Sequence, residues 1–285
     1  MLGIISKDDI NEVGHSLFNN FRLALTNYLQ EEIKDVNSIS DLDNITLLLI
    51  IDEHYIPHKN IWQNNEFISY INLKNIKVVI FNFEKIFNSQ FPWNIKIQND
   101  IEKINNRVQL VSDIKDASIL NASIINKQFL SKSTVLSNPI QDKKDEILFL
   151  GQINEFYPTR GATLRELQKS NDKVRVIKSD RKYSYNEFLD LINNAKFILN
   201  PLGTGEFINL RFYEALSLNC IVVQQYTDDM LKWYPELTQP NVLKFKTVEE
   251  FTQLNFNDHT IYNNIYLEDY FKEINLMNII YQVII

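Results

Sequence analysis

Residues 196–225 read KFILNPLGTGEFINLRFYEALSLNCIVVQQ, and this stretch decides the fold of the C-terminal half of the chain. The apolar run at 196–200 predicts a buried strand, which a glycine-containing loop separates from a predicted helix at 207–218. A second apolar run at 220–224 predicts another buried strand. A strand, a helix and a further strand of this length form a right-handed crossover in a parallel sheet, so this half is predicted to be α/β.

The same alternation of apolar runs and helical patterns extends over most of the chain. A polar, charge-dense segment at 137–146, which contains Pro139, predicts a linker that divides it. We predict an α/β fold with two Rossmann-like domains whose parallel sheets face a cleft, at residues 1–140 and 141–260, and a helical segment at 261–285 that docks back on the core. The predicted strands lie at 45–51, 77–83, 107–112, 147–150 and 174–177, and the predicted helices at 8–32, 95–104, 159–169 and 185–195.

Composition argues against several classes of protein. The net charge of −7 disfavours general binding of nucleic acid, which needs a basic face, although a locally basic groove stays compatible with it. The single cysteine, Cys220, excludes an internal disulfide framework and suits a reducing compartment, so we expect a cytoplasmic protein. No apolar run is long enough to cross a bilayer and no signal peptide is visible, which favours a chain without a membrane span.

The loop and helix within residues 196–225 combine residue types that suit an anion. Gly203 and Gly205 permit close approach of the backbone to a ligand, and the helix that follows points its first N–H groups into the loop. Arg211 and Glu214 stand one helical turn apart, so they present a cation and a carboxylate together. The cation suits a diphosphate, and the carboxylate can accept from both hydroxyls of a ribose. The alternative interpretation is an ordinary ion pair on a helix surface.

Three segments resemble a known enzyme family. Residues 211–216, RFYEAL, resemble the R-x-x-E-A-L element in the donor-binding region of glycosyltransferases with two Rossmann-like domains, the GT-B type. Residues 147–154, ILFLGQIN, followed by Arg160 and a helix, resemble the first strand and loop of the same donor domain. Residues 81–84, FNFE, resemble an N-x-E element in the acceptor half of related bacterial and viral transferases. The series is similar to the exostosin-type, fucosyltransferase-type and group 1 families, and it covers most of residues 77–235.

The resemblance implies a metal-independent glycosyltransferase that uses a nucleotide-diphosphate sugar as co-substrate and needs no cofactor. Glu214 would hold the nucleotide ribose, and Arg211 would face the diphosphate and act in catalysis. Many relatives carry an acidic residue and a longer glycine-rich stretch before the arginine, whereas Glu206 stands alone after Gly205. Its contact with the donor sugar hydroxyls therefore stays open. The other donor-binding residues that the resemblance implies are Gly151, Asn154, Arg160, Lys178, Tyr183, Gly203, Thr204, Gly205 and Asn209.

The acceptor half must supply any catalytic base. Asp52 follows the apolar run at 45–51 and Glu84 follows the run at 77–83, and strand ends of this kind face the cleft of a parallel sheet. A carboxylate there could deprotonate an acceptor hydroxyl in an inverting displacement. Each could instead be a helix cap or a surface acid, and a retaining enzyme would need no such base.

Two pairs of residues have the spacing of metal ligands. Asp41 and Asp43 form a D-x-D, but they precede a predicted strand instead of following one, which favours capping or solvation. His54 and His58 are four residues apart, yet Pro57 breaks any helix between them and no third ligand is near in sequence. No metal site is therefore predicted.

The expected partners are a nucleotide-sugar donor and a hydroxyl acceptor, either a glycan or a small molecule. One alternative acceptor is a modified DNA base, which the acidic composition disfavours. The alternatives from other classes are a non-catalytic sugar- or nucleotide-binding module and a sugar-nucleotide epimerase. The module would bind a donor without turnover, whereas the epimerase would alter the donor without any acceptor.

Overall fold

The computed structural model describes residues 1–5, 33–52, 64–82, 86–87, 92–125, 139–154, 157–178, 183–257 and 259. These residues form two compact units, one that ends at residue 125 and one that begins at residue 139. Each unit contains its own parallel sheet. The helix predicted at 8–32 and the C-terminal segment predicted at 261–285 lie outside the described residues.

The first unit is a parallel sheet with helices packed on it. Its strands are β1 (Leu2–Ile5), β2 (Ile33–Asp35), β3 (Leu47–Asp52), β4 (Lys77–Asn82), β5 (Arg107–Val111) and β6 (Ser123–Ile124). Its helices are α1 (Asn65–Leu73), α2 (Pro92–Ile101) and α3 (Ile114–Leu120). The strand order is β2-β1-β3-β4-β5-β6. Runs of leucine, isoleucine and valine form the central strands because both faces of a parallel sheet are buried, and Leu48 and Val78 share one core with Ile71 of α1.

The second unit repeats this architecture with five strands. They are β7 (Lys144–Gly151), β8 (Val174–Lys178), β9 (Ala195–Asn200), β10 (Ile221–Gln225) and β11 (Val242–Phe245). The helices are α4 (Pro158–Ser170), α5 (Tyr185–Asn194), α6 (Leu210–Ser217), α7 (Asp228–Trp233) and α8 (Val248–Thr252). The strand order is β11-β10-β9-β7-β8, and Phe149, Phe197 and Val223 of three neighbouring strands share one core.

Both sheets follow the same rule of strand order. Counted within each unit the order is 2-1-3-4-5, and the first unit adds one more strand at the far edge. From the neighbours β1 and β3, and likewise from β7 and β9, the chain continues toward opposite edges of the sheet. Such a switch point opens a crevice outside the carboxyl ends of the strands, where ligands bind in folds of this type. The predicted α/β class with parallel sheets in both halves is confirmed.

Several element boundaries differ from the predictions. The helix predicted at 207–218 begins only at Leu210, because the N-cap residue Asn209 keeps an extended backbone. Strand β7 begins at Lys144, inside the segment predicted as a linker. Strands β1, β2 and β11 lie outside every predicted element, since strands of three or four residues are too short to show a period. Within the part of the chain that the structure describes, no helix is both long and apolar enough to cross a membrane.

Candidate functional site

Arg211 lies at the switch point of the second sheet. A Cβ atom at Gly151, the last residue of β7, would collide with Nη2 of Arg211, so only a glycine lets the guanidinium group lie against this strand end. Nη1 of Arg211 donates to Oδ1 of Asn200, the last residue of β9, over 3.2 Å. The guanidinium carbon stands 4.9 Å from the centre of the Phe149 ring, a cation–π contact. Arg211 therefore bridges the two strand ends between which this type of sheet binds ligands.

Arg160 is a second, buried arginine in the same region. It lies on the first turn of α4, with its guanidinium carbon 3.9 Å from the centre of the Tyr157 ring. Nη1 donates to the backbone oxygen of Gln152 over 3.2 Å, in the loop that follows β7. A Cβ atom at Gly203 would approach Nη2 of Arg160 to 2.7 Å, so the loop after β9 covers this arginine closely because it carries a glycine there.

The two arginines are near enough to influence each other electrostatically. Burial and then the positive charge of Arg160 lower the pKa of Arg211 to about 9, while Glu214 and Tyr157 act in the opposite direction. Arg211 still carries its charge at neutral pH. Holding two cations together in partly desolvated surroundings costs free energy that an anionic ligand would recover, and groups perturbed in this way concentrate at functional sites.

A chain of buried amide side chains holds Arg211 from the other side. Asn200 has no exposed surface, and its Oδ1 accepts from Nη1 of Arg211 and, over 2.7 Å, from Nδ2 of Asn209. Nδ2 of Asn200 donates over 2.5 Å to Oε1 of the buried Gln224. The neighbouring Gln225 accepts from the backbone N–H of Leu202 over 3.1 Å and so ties down the loop above the site. These bonds fix the arginine and the loop in one arrangement.

Some buried polar atoms of this cluster have incomplete hydrogen bonding. Nε of Arg211 and Oδ1 of Asn209 have no hydrogen-bond partner among the residues that the structure describes. Buried polar groups are paired in the great majority of cases, so exceptions call for an explanation such as a binding role. Both atoms belong to residues for which the family resemblance implies a place in the donor site.

Six of the predicted donor-site residues belong to this cluster. Glu214 is buried on α6 near Arg211, and its carboxylate raises the pKa of that arginine, as the sequence spacing predicts. These six residues, which lie on β7, α4, the loop after β9 and α6, are Gly151, Arg160, Gly203, Asn209, Arg211 and Glu214.

The remaining predicted donor residues stand at the margin. Thr204 and Gly205 follow Gly203 in the same loop, and Glu206 accepts a long hydrogen bond of 3.4 Å from the Thr227 hydroxyl. Lys178 is exposed at the end of β8, and Tyr183 is half-buried just before α5. Asn154 is exposed, and its Nδ2 donates to Oε1 of Gln152 over 3.4 Å.

The proposed base residues of the first unit are only partly described. Asp52 is the last residue of β3 and pairs in register with Asn82 of β4. Its strand borders β1, so the backbone of Asp52 stands at the switch point of the first sheet. Glu84 lies outside the described residues.

The D-x-D sequence stabilises a turn, as its position before a strand predicts. Oδ2 of Asp41 accepts from the backbone N–H groups of Asn37 and Ser38 and from the Ser38 hydroxyl. These bonds, led by the Ser38 hydroxyl, lower the pKa of Asp41. Asp43 accepts from the Tyr70 hydroxyl over 2.6 Å. The two carboxylates are therefore occupied with local structure, and the capping interpretation is confirmed for Asp41.

Sequence reasoning missed the residues that hold the arginines. Asn200 and Gln224 each stand at the end of an apolar run, where a polar residue marks the end of a strand and nothing more. Tyr157 and Phe149 are aromatic residues of the kind that usually fill a core. Only the strand order, which places β9 between β7 and β10, brings these side chains to the arginines.

The geometry of this cluster is the main guide to function. No protein-family model matches the chain, and no curated protein matches it either. Two cations, a buried carboxylate and two glycine contacts at a switch point define a site with the chemistry of an anion receptor.

Proposed function

We propose that the second unit binds the diphosphate of a nucleotide sugar and that the protein is a glycosyltransferase, which moves the sugar to a hydroxyl acceptor without a metal ion or cofactor. One observation carries this proposal: Arg211 and Arg160 converge at the switch point of the second sheet, each against a glycine. A diphosphate carries negative charge that these two cations attract, and arginine binds phosphate oxygens through parallel hydrogen bonds.

In this proposal the leaving group is stabilised by charges already in place. Arg211, Arg160 and the first N–H groups of α6 face the diphosphate as negative charge develops on it. Arginines held by aromatic rings and amides need little reorganisation at the moment of reaction. Glu214, buried one turn further along α6, accepts from the ribose hydroxyls.

In this proposal the first unit binds the acceptor. The chain is divided into domains at 1–140 and 141–260, as in a GT-B enzyme, and the enzyme acts in the cytoplasm. Asp52 and Glu84 are its candidate bases for an inverting transfer. The acceptor is a glycan or a small hydroxyl compound.

Binding experiments test the donor site. We expect inorganic pyrophosphate and at least one nucleoside diphosphate to bind in isothermal titration calorimetry. Arg211→Gln should weaken both by about 100-fold, because removal of one partner from a desolvated charge contact costs several kcal/mol. Arg165→Gln is the matched control, since Arg165 is an exposed arginine on the same helix as Arg160.

Glu214→Gln separates the ribose contact from the phosphate contact. It should lower the affinity for the nucleoside diphosphate about tenfold, the value of one charge-assisted hydrogen bond, without weakening pyrophosphate. Equal loss of both ligands would show that Glu214 acts through Arg211 and would remove it from the ribose role.

Turnover experiments test the reaction. A panel of nucleotide sugars is incubated with and without hydroxyl acceptors, and released nucleoside diphosphate is measured. Acceptor-dependent release supports transfer. Donor binding without turnover would identify a non-catalytic binding module, an altered sugar without any acceptor would identify an epimerase, and the absence of binding to any diphosphate would refute the donor site.

A further inference from the structure

The amide of Asn200 has a feature that a donor site does not require by itself: it holds a cation with an uncharged oxygen. Arginines buried in proteins usually meet a carboxylate, which binds them more strongly. Here the Glu214 carboxylate acts on Arg211 through its charge, but Arg211 donates its hydrogen bond to an amide oxygen, although position 200 is wholly buried and an aspartate has the same shape.

The orientation of this amide follows from its partners. Arginine has only donors, so the atom of Asn200 that faces Arg211 must be the oxygen. The nitrogen of Asn200 then faces Oε1 of Gln224, and Nε2 of Gln224 donates to the backbone oxygen of Gln225. That backbone oxygen is only an acceptor, so each amide along the chain has a single orientation.

The same oxygen also accepts from Nδ2 of Asn209, the residue directly before α6. Asn200 therefore fixes the position of two groups at once: the guanidinium group of Arg211 and the start of the helix that carries it. An amide does this without adding negative charge, so the positive charge of Arg211 stays available to a ligand.

We infer that Asn200 is a positioning residue of the donor site, a neutral acceptor that orients Arg211 for an anionic ligand without cancelling its charge. This inference rests on the proposed diphosphate site. Gln224 supports it by fixing the orientation of the Asn200 amide.

Two substitutions with the same side-chain branching as asparagine separate charge from hydrogen bonding. Asn200→Asp keeps an acceptor against Arg211 but adds a negative charge, so affinity for inorganic pyrophosphate should fall about 100-fold as the site loses its net charge. Asn200→Leu removes the acceptor and leaves the charge of Arg211 unbalanced, so affinity should fall only about tenfold while the melting temperature drops further than in the aspartate variant. In both variants the group that faces Oε1 of Gln224 no longer donates, so this loss is common to the two.

The order of the two variants is the decisive result. We expect the aspartate variant to be the more stable of the two and the weaker binder, measured by thermal unfolding and by titration with pyrophosphate. A residue with a purely structural role would make stability and affinity fall together. The inference is overturned if the leucine variant binds more weakly than the aspartate variant, or if the aspartate variant binds like the wild type.

Asn193→Asp is the matched control. Asn193 is also buried, accepts from a cation, Nζ of Lys143, over 3.0 Å, and precedes β9 at the opposite end from Asn200. The same change of net charge there should leave pyrophosphate binding unchanged. If the wild type binds neither pyrophosphate nor any nucleoside diphosphate, the proposed donor site and this inference both fail. If the wild type binds and only the order of variants is wrong, the inference alone fails.

Discussion

The two units have the same strand order, but the described residues at the carboxyl ends of their strands differ in chemistry. In the first unit these ends carry Asp52 and Asn82, and the buried Asp113 follows β5. In the second unit the corresponding edge holds Arg160 and Arg211. A parallel sheet determines where a ligand site can form, because it directs strand ends and helix starts to one edge. The residues placed there determine which ligand can bind.

The carboxylates of the first unit also have structural duties. Asp113 accepts from the backbone N–H groups of Lys115 and Asp116 and so caps α3. Asp116, wholly buried, accepts from the backbone N–H groups of Ile86 and Phe87 and anchors the segment after β4. Arg211 of the second unit instead donates to the amide oxygen of Asn200 and lies against the Phe149 ring, so these two contacts add no negative charge beside it.

The largest expected effect on binding comes from Gly151→Ala. The added Cβ would displace the guanidinium group of Arg211, a flexible side-chain end, so the fold should survive while pyrophosphate affinity falls about 100-fold. Titration calorimetry measures this loss.

The control is Gly3→Ala on β1, the first strand of the other sheet. Its Cβ would lie 2.9 Å from Cγ2 of Val36, an overpacking that should cost about 1–3 kcal/mol of unfolding free energy and leave binding intact. Normal pyrophosphate binding by Gly151→Ala would remove the contrast between the two strands.

Asp116→Ala should give the largest effect on stability. It leaves two backbone N–H groups without their acceptor, which should lower the free energy of unfolding by roughly 2–4 kcal/mol in urea denaturation. The amides of Ile86 and Phe87 should exchange with deuterium faster.

Asp43→Ala is the matched control, because Asp43 is an exposed carboxylate that accepts from the Tyr70 hydroxyl, and it should cost less than about 1 kcal/mol. A loss of pyrophosphate affinity in the Asp116 variant would contradict the proposal that the second unit alone binds the diphosphate.

Glu236→Gln tests a carboxylate of the second unit whose pKa is strongly shifted. Burial raises the pKa of Glu236 to about 7, with an opposing contribution from the Tyr213 hydroxyl. The folded state thus holds this proton more tightly than the unfolded state, so the stabilisation is complete below about pH 4.5 and is lost as the pH rises through 7.

At pH 8 the glutamine variant should therefore be more stable than the wild type by up to about 3 kcal/mol, and the difference should shrink toward pH 4.5. Urea denaturation across this range measures the effect. Glu166→Gln, at an exposed position on α4, should show no such trend. A constant difference at every pH would mean that the proton on Glu236 does not control stability.

The smallest effect should come from Asp145→Asn. Asp145 pairs with Lys173 over 2.6 Å on the surface, and this hydrogen bond lowers the pKa of the carboxyl group. Exposed ion pairs contribute less than about 1 kcal/mol, so urea denaturation should register little change and binding none. A large effect would mean that surface charge, and not the arginine cluster, governs the second unit.

The sequence predicts the inner strands of both sheets because burial on two faces leaves long apolar runs. It also predicts Arg160, Arg211, Glu214 and two of the glycines that surround them. It does not predict the strand order, since many orders satisfy the same alternation of strands and helices. Asn200 and Gln224, 24 residues apart and in contact, stay hidden for that reason.

The side-chain amides of Asn200 and Gln224 each have a single orientation, and this has a spectroscopic consequence. An anion that accepts hydrogen bonds from Arg211 weakens the bond between Arg211 and Asn200, and this change passes through the amide of Asn200 to that of Gln224. The side-chain NH2 signals of both residues in a nitrogen-correlated NMR spectrum should therefore move together during a titration. Two amides buried beneath the site would act as built-in reporters of its occupancy.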